Sequence, residues 1–244
     1  MRILILSDLH ANYHALDAIL RAAGQFDQIW CLGDVVGYGP EPNECIERLR
    51  AFDLVCLAGN HDLAVAEKLG LDDFNPDARE AVYWTRTQIT YAHTNWLAAL
   101  PTHTTLAAHG ITLVHGSPRD AVWEYIMTPP VARACLAQME TPIGFNGHTH
   151  VPYLFGKPLY ESGVIAEPLP ARLTLTQGGD RWLINPGSAG QPRDEDPRAA
   201  YALLDLATLT LTHHRVQYDV AATQKLMKQA QLPSRLIRRL RFGQ

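Results

Sequence analysis

Residues 1–62, MRILILSDLHANYHALDAILRAAGQFDQIWCLGDVVGYGPEPNECIERLRAFDLVCLAGNHD, decide the fold. Three short apolar runs, at 3–6, 28–32 and 54–57, alternate with helical patterns over about 14–23 and 42–51. Runs that are apolar throughout, separated by helices of this length, predict a βαβαβ unit whose parallel strands are covered on both faces. Ligands in such sheets bind at the carboxyl ends of the strands. Asp8, Asp34 and Asn60 each follow one of these runs, so three separate loops are expected to converge on one sheet edge.

Working outward, the spacing of Ala81, Val82, Trp84, Ile89, Trp96 and Leu97 predicts a helical excursion at about 76–100, stopped by Pro101. The second half reads mainly as β, with runs at 110–115, 143–146, 153–155, 172–176, 182–184, 201–205 and 208–216, and a helix at 130–139. A helix at about 220–240 closes the chain, with a break expected at Pro233. No low-complexity linker divides the 244 residues, so one domain over 1–244 is expected.

Composition narrows the function class. Twenty-five acidic residues against 21 basic ones give a net charge of −4, the wrong sign for a generic nucleic-acid binder. Nucleic acid is thus disfavoured without being excluded, and phosphate recognition must be local. The opening apolar run is too short for a signal peptide, and nothing approaches the roughly 20 apolar residues of a membrane span. Cys31, Cys45, Cys56 and Cys135 form no C-x-x-C pair, so a reduced, cytoplasmic protein is the simplest reading.

Five pieces collect the unusual residues: Asp8-Leu9-His10, Gly33-Asp34, Gly59-Asn60-His61-Asp62, His115-Gly116 and Gly147-His148-Thr149-His150. Together they bring three Asp, one Asn and five His to one edge, where burying polar groups is costly unless something partners them. A metal site relieves that cost. Imidazole and carboxylate without thiolate favour first-row transition ions, and seven such donors suffice for two centres sharing a bridging carboxylate. In D-x-H and H-T-H, period-2 alternation would present both polar residues on one side.

In this order and spacing, D-x-H, G-D, G-N-H-D, V-H-G and G-H-T-H resemble the signature of the calcineurin-like metallophosphoesterases. Residues 185–194, NPGSAGQPRD, and 36–40, VGYGP, resemble the compact bacterial and archaeal phosphodiesterase branch. The resemblance implies an α/β fold, a four-layer α/β/β/α sandwich with two mixed β-sheets. It makes Asp8, His10 and His150 ligands of one ion and Asn60, His115 and His148 ligands of another, with Asp34 bridging. It implies two divalent or mixed-valence ions, Mn first and Fe, Zn, Co or Ni as alternatives. His61 is then the catalytic residue that assists the leaving oxygen while a metal-bound hydroxide attacks phosphorus. The expected substrate is a small or nucleotide-type phosphodiester. A phosphomonoester, a dinucleoside polyphosphate, or a metal-binding module of little catalytic power are the alternatives, and the oligomeric state is not readable.

The sequence departs from the protein-phosphatase branch where an acidic residue and an arginine would follow G-D, because Gly37 and Tyr38 stand there. Asp62 or a backbone carbonyl is therefore expected to orient His61. Arg193 is expected to meet the substrate's charge unless Asp194 or Asp196 pairs with it, and Asn60 and Ser188 are further substrate-binding candidates. His14, His93, His103, His109, His213 and His214 read as helix-face, turn or surface residues, and Trp84, Trp96 and Trp123 as core or interface. The arginines at 235, 238, 239 and 241 read as a solvated helix end.

Overall fold

In a computed structural model, which describes residues 1–159 and 163–244, the apolar runs become strands of two six-stranded mixed sheets. The first sheet has β1 (Arg2–Leu6), β2 (Gln28–Cys31) and β3 (Leu54–Cys56) in parallel. It continues antiparallel from β1 into β11 (Ala199–Asp205), β12 (Thr210–Val216) and β9 (Arg172–Thr174). The second has β5 (Ile111–Val114), β6 (Ile143–Phe145) and β10 (Arg181–Asn185) in parallel. Its antiparallel flanks are β4 (His103–Leu106) beside β5, and β7 (Tyr153–Lys157) followed by β8 (Ile165–Pro168) beside β10.

Alternation along β1 explains the layers. Ile3 and Ile5 face the second sheet, where they pack with Trp30, Ile143, Phe145 and Ile184. Leu4 and Leu6 face the other way, onto α1 (Tyr13–Ala22) and α2 (Pro42–Arg50). On the far side α6 (Pro129–Gln138) packs Ala132, Cys135 and Leu136 against Phe155 and Leu183. The order is helices, sheet, sheet, helix, as the resemblance implies. Both faces of each sheet's centre are thereby buried, which is why these strands read as nearly unbroken apolar runs.

Local chemistry sets the helix starts. The side chains of Asn12, Asn75, Thr90 and Asp219 accept the third N–H beyond them at the heads of α1, α4 (Pro76–Gln88), α5 (Tyr91–Ala98) and α7 (Val220–Gln229). Pro233 ends the chain's run after α7, and α8 (Ser234–Arg239) starts just beyond it. Three elements differ from the sequence expectation. β4 and β8 are half-exposed edge strands with no apolar run to announce them, and α3 (Asn60–Val65) is a six-residue helix inside G-N-H-D, too short for a periodic signal.

Candidate active site

Each sheet contributes three parallel strands, and the loops leaving all six meet at the seam between the sheets. Asp8 follows β1, Asp34 follows β2 and Asn60 opens α3 after β3. His115 follows β5, His148 and His150 follow β6, and Ser188 and Arg193 follow β10. The polar residues of D-x-H and H-T-H are not presented by strand alternation as expected. Asp8 (φ 52°), His10 (48°), Asp34 (52°), His148 (66°) and His150 (62°) all lie in the left-handed region, a loop conformation that turns each side chain into the seam. For non-glycine residues this costs on the order of 1–3 kcal/mol each, and such strain concentrates at sites held for function. Gly59 permits the approach: a Cβ there would meet the Asp34 carboxylate.

The donors form two clusters that share one carboxylate. Asp8, His10, Asp34 and His150 lie within ligating distance of one another, as do Asp34, His115 and His148. His10 Nε2 and His115 Nε2 are each 3.6 Å from Asp34 Oδ2, and His150 Nε2 is 3.4 Å from Asp8 Oδ1. Asn60 Oδ1 lies 3.3 Å from His115 Nε2, which adds it to the second cluster. The opposite ring nitrogens face backbone carbonyls: His10 Nδ1 faces Val36 O at 3.2 Å, His115 Nδ1 faces Leu32 O at 2.9 Å and His150 Nδ1 faces Gln191 O at 2.6 Å. Donation there fixes the tautomer and leaves the Nε2 lone pairs directed inward. His148 Nε2 is buried without a partner.

Electrostatics make the same point. Burial pushes the Asp8 carboxyl up to about 6, with Asp34 adding to the rise against the opposing pull of His115. Burial and Asp62 hold Asp34 well above the carboxylate range. Burial holds His10, His148 and His150 well below the usual histidine range. Neutral imidazoles and inward carboxylates, all at most 3% exposed, are a poor arrangement by themselves and a good one around cations.

Above this floor is a cavity of about 70 Å³, room for about five waters. His61 stands at its edge, packed by Tyr38 (ring centroids 4.2 Å apart), Phe74 (5.1 Å) and His10 (5.0 Å). Asp62 does not orient it. The Asp62 carboxylate instead accepts from Gly59 N (3.0 Å), Val35 N (3.2 Å) and Val36 N (3.0 Å), clamping the Asp34 loop to the Asn60 loop. His61 Nδ1 is buried without a partner and faces Gly37, where a Cβ would come within 2.5 Å. The imidazole is therefore held by aromatic packing, the one device left when Gly37 supplies no acceptor. Burial, then Arg193, lowers its pKa well below the ordinary value.

Arg193 lines the cavity, with its guanidinium 5.9 Å above the Tyr38 ring and Nη2 donating to Gln191 Oε1 at 3.1 Å. The carboxylates expected to compete for it are engaged elsewhere, Asp194 with Arg215 and Asp196 with Arg198. Ser188 lies beneath the site rather than in the cavity. It is fully buried, donates to Asp8 O and accepts from Gln191 N, both at 2.7 Å, so its one proton is already committed and cannot be donated to a substrate oxygen. Trp123, expected in a core or interface, lines the cavity, as do Phe74 and Tyr125, whose ring stacks on His148 at 4.1 Å. Nothing local in the sequence marks Phe74 or Tyr125; only folding brings them to the seam.

Residues 1–209 match the calcineurin-like phosphoesterase superfamily domain. The chain belongs to that superfamily. It is 44% identical to a metallophosphoesterase from Sphaerobacter thermophilus, whose crystal structure superimposes with a TM-score of 0.89 over 100% of this chain and 99% of that one. An uncharacterized protein of Methanocaldococcus jannaschii is 32% identical over 99% of this chain and 98% of its own length. A symmetrical bis(5'-nucleosyl)-tetraphosphatase of Glaesserella parasuis is 27% identical over 56% of this chain and 52% of its own. As a calcineurin-like phosphoesterase, the chain is a metal-binding phosphoric ester hydrolase. Among the described residues no helix is long and apolar enough to cross a membrane.

Proposed function

We propose that this chain is a cytoplasmic phosphodiesterase of small, nucleotide-type substrates, and that its residues 1–244 act as one domain with two transition-metal ions, manganese first among them. The observation that carries this reading is the pair of donor clusters sharing Asp34 beneath a cavity that also contains His61 and Arg193. The donors fit such ions: fixed tautomers, inward lone pairs and the orphaned His148 Nε2 all ask for a cation. Asp8, His10 and His150 would hold one ion and Asn60, His115 and His148 the other, with Asp34 between them. Ions held there would acidify a water nucleophile and offset charge on the phosphoryl oxygens.

The chain's own residues complete the chemistry. Arg193 reaches over the cavity to draw the phosphoryl group onto the floor and hold its oxygens. His61, fixed between Tyr38 and Phe74, stands where it can give a proton or a hydrogen bond to the oxygen that leaves phosphorus. A phosphate anion beside it would raise the imidazole pKa that burial and then Arg193 depress, favouring the protonated form when substrate is bound.

The relative that is a dinucleoside tetraphosphatase supports a second reading, hydrolysis of a dinucleoside polyphosphate at the same site. The deciding experiment measures initial rates on a synthetic phosphodiester, its matching monoester and a dinucleoside tetraphosphate, with metal-stripped protein reloaded with Mn²⁺ and His61→Ala as control. Diester hydrolysis that needs both metal and His61 is expected. A monoester preference, or no rate on any ester, would overturn the proposal.

A further inference from the structure

Tyr125 is half-exposed, yet its ring lies flat on His148, with 4.1 Å between centroids and 9° between planes. Trp123 meets the same imidazole edge-on at 6.2 Å and meets Phe74 at 5.1 Å. His10, His115 and His150 each face a backbone carbonyl through the far ring nitrogen, and the grip on His148 is through the face of its ring. A half-exposed ring stays stacked only where the backbone that carries it is fixed, because stacking must outweigh the entropy of a free loop.

The residues next to these rings turn the other way, towards α6. Ile126 packs there with Ala132, Cys135 and Leu136. Glu124 Oε2 accepts from Ser117 Oγ at 2.5 Å and from Cys135 Sγ at 3.4 Å, both fully buried residues, and its Oε1 lies 3.4 Å from Arg119 Nη2. Ser117 stands two residues beyond His115, and its Oγ also accepts from Arg119 N and Asp120 N at 3.0 Å. Asp120 Oδ1 in turn accepts from Val122 N at 3.0 Å and Trp123 N at 3.1 Å. Segment 115–126 is thus folded back on itself. One end carries His115, the other carries the ring on His148, and the Glu124 carboxylate joins the two. A hydroxyl donating to a carboxylate away from water is a strong hydrogen bond, and an acid turned inward costs desolvation that a solvent-facing glutamate would not.

We propose that Glu124 is a positioning residue for the second donor cluster: it holds Tyr125 on the face of His148, so that Asn60, His115 and His148 are arranged before their ion arrives. The inference rests on the two-ion reading of the site. An imidazole free to turn about its side-chain torsions must be ordered when it binds metal, and a ring stacked on it in advance removes that cost. The first cluster takes the carbonyls behind His10 and His150 from Val36 and Gln191, on other loops, so its affinity should not depend on Glu124.

The test titrates metal-free protein with Mn²⁺ by calorimetry, without turnover. Wild type should bind two ions. Glu124→Ala should weaken one of them about tenfold and leave the other within about twofold, the size expected of a group that orients a ligand. Glu124→Gln, which keeps an oxygen to accept from Ser117, should restore most of that loss. Tyr125→Ala, which removes a half-exposed ring, should weaken the same ion, and Tyr125→Phe should not. In a His148→Ala background, Glu124→Ala should cause no further loss, a coupling expected only if the effect passes through that imidazole. Equal weakening of both ions, or lower stability with both affinities kept, would overturn the inference and leave Glu124 serving the fold alone. An unchanged affinity in Tyr125→Ala would overturn it too. A single ion in wild type would remove the two-ion reading and the inference together. The expected pattern in a protein that hydrolyses no ester would sink the proposed catalysis and leave the role of Glu124 standing.

Discussion

At the floor of the site Asp8, Asp34, His115 and His150 are at most 2% exposed, and their loops are stitched together by Asp62, Ser188 and backbone carbonyls. At the rim the pattern reverses. Tyr125 is 46% exposed, Arg193 lacks an ion-pair partner among the described residues, and His61 is held by aromatic packing. The floor is committed in advance to a cation, with strain and desolvation offset by the core around it. The rim keeps its donors free, as expected of the part that meets a changing ligand.

The largest effect that would break this contrast is at the shared carboxylate. Asp34→Asn should abolish stoichiometric metal binding and lower turnover by about a thousandfold or more, read by elemental analysis and by rate. Because burial already disfavours the Asp34 charge, the same variant should be at least as stable as wild type when both are metal-free. A variant that unfolds without metal would show instead that the carboxylate supports the fold. His61→Ala should keep both ions and lose about 10²–10⁴-fold in kcat. Loss of metal with the fold intact would move His61 from rim to floor.

Smaller effects sharpen the picture. Asp62→Asn turns one of the two accepting oxygens into an NH2 donor, leaves at least one of three buried N–H groups without an acceptor, and should cost about 1–3 kcal/mol in chemical denaturation. Away from the site, burial lowers His213 to about 4, from an unfolded value near 6.5. The folded state then binds fewer protons, so stability is complete above about pH 6.5 and is lost as pH falls towards 4, by up to about 2–3 kcal/mol. His213→Asn should flatten that part of the profile, and an unchanged slope would place the acid sensitivity elsewhere. Arg193→Ala should have the least effect, raising KM about tenfold with metal content unchanged.

Legibility followed the same division. The floor residues lie within a few positions of apolar runs, and all but Asp8 share short motifs with glycine, so Asp8, Asp34, Asn60, His115, His148 and His150 stand out in the sequence at one edge. Their backbone could not, because five left-handed residues look in sequence like a strand continuing. Ser188 lies in the loop its motif marks, but the direction of its hydroxyl is set by the Asp8 carbonyl across the fold. Tyr38, Phe74 and the pair Trp123 and Tyr125 reach the rim from three separate segments, and no local pattern links them.

The sequence by itself determined the layering and the chemistry. Buried parallel strands must read as apolar runs, and imidazoles clustered with carboxylates at strand ends have few other uses. Tertiary structure decided what holds His61, which aromatic rings line the cavity and which carboxylates pair away from Arg193. Those depend on which side chains from distant segments face one another, and a pairing across more than a hundred residues leaves no periodic trace in the chain.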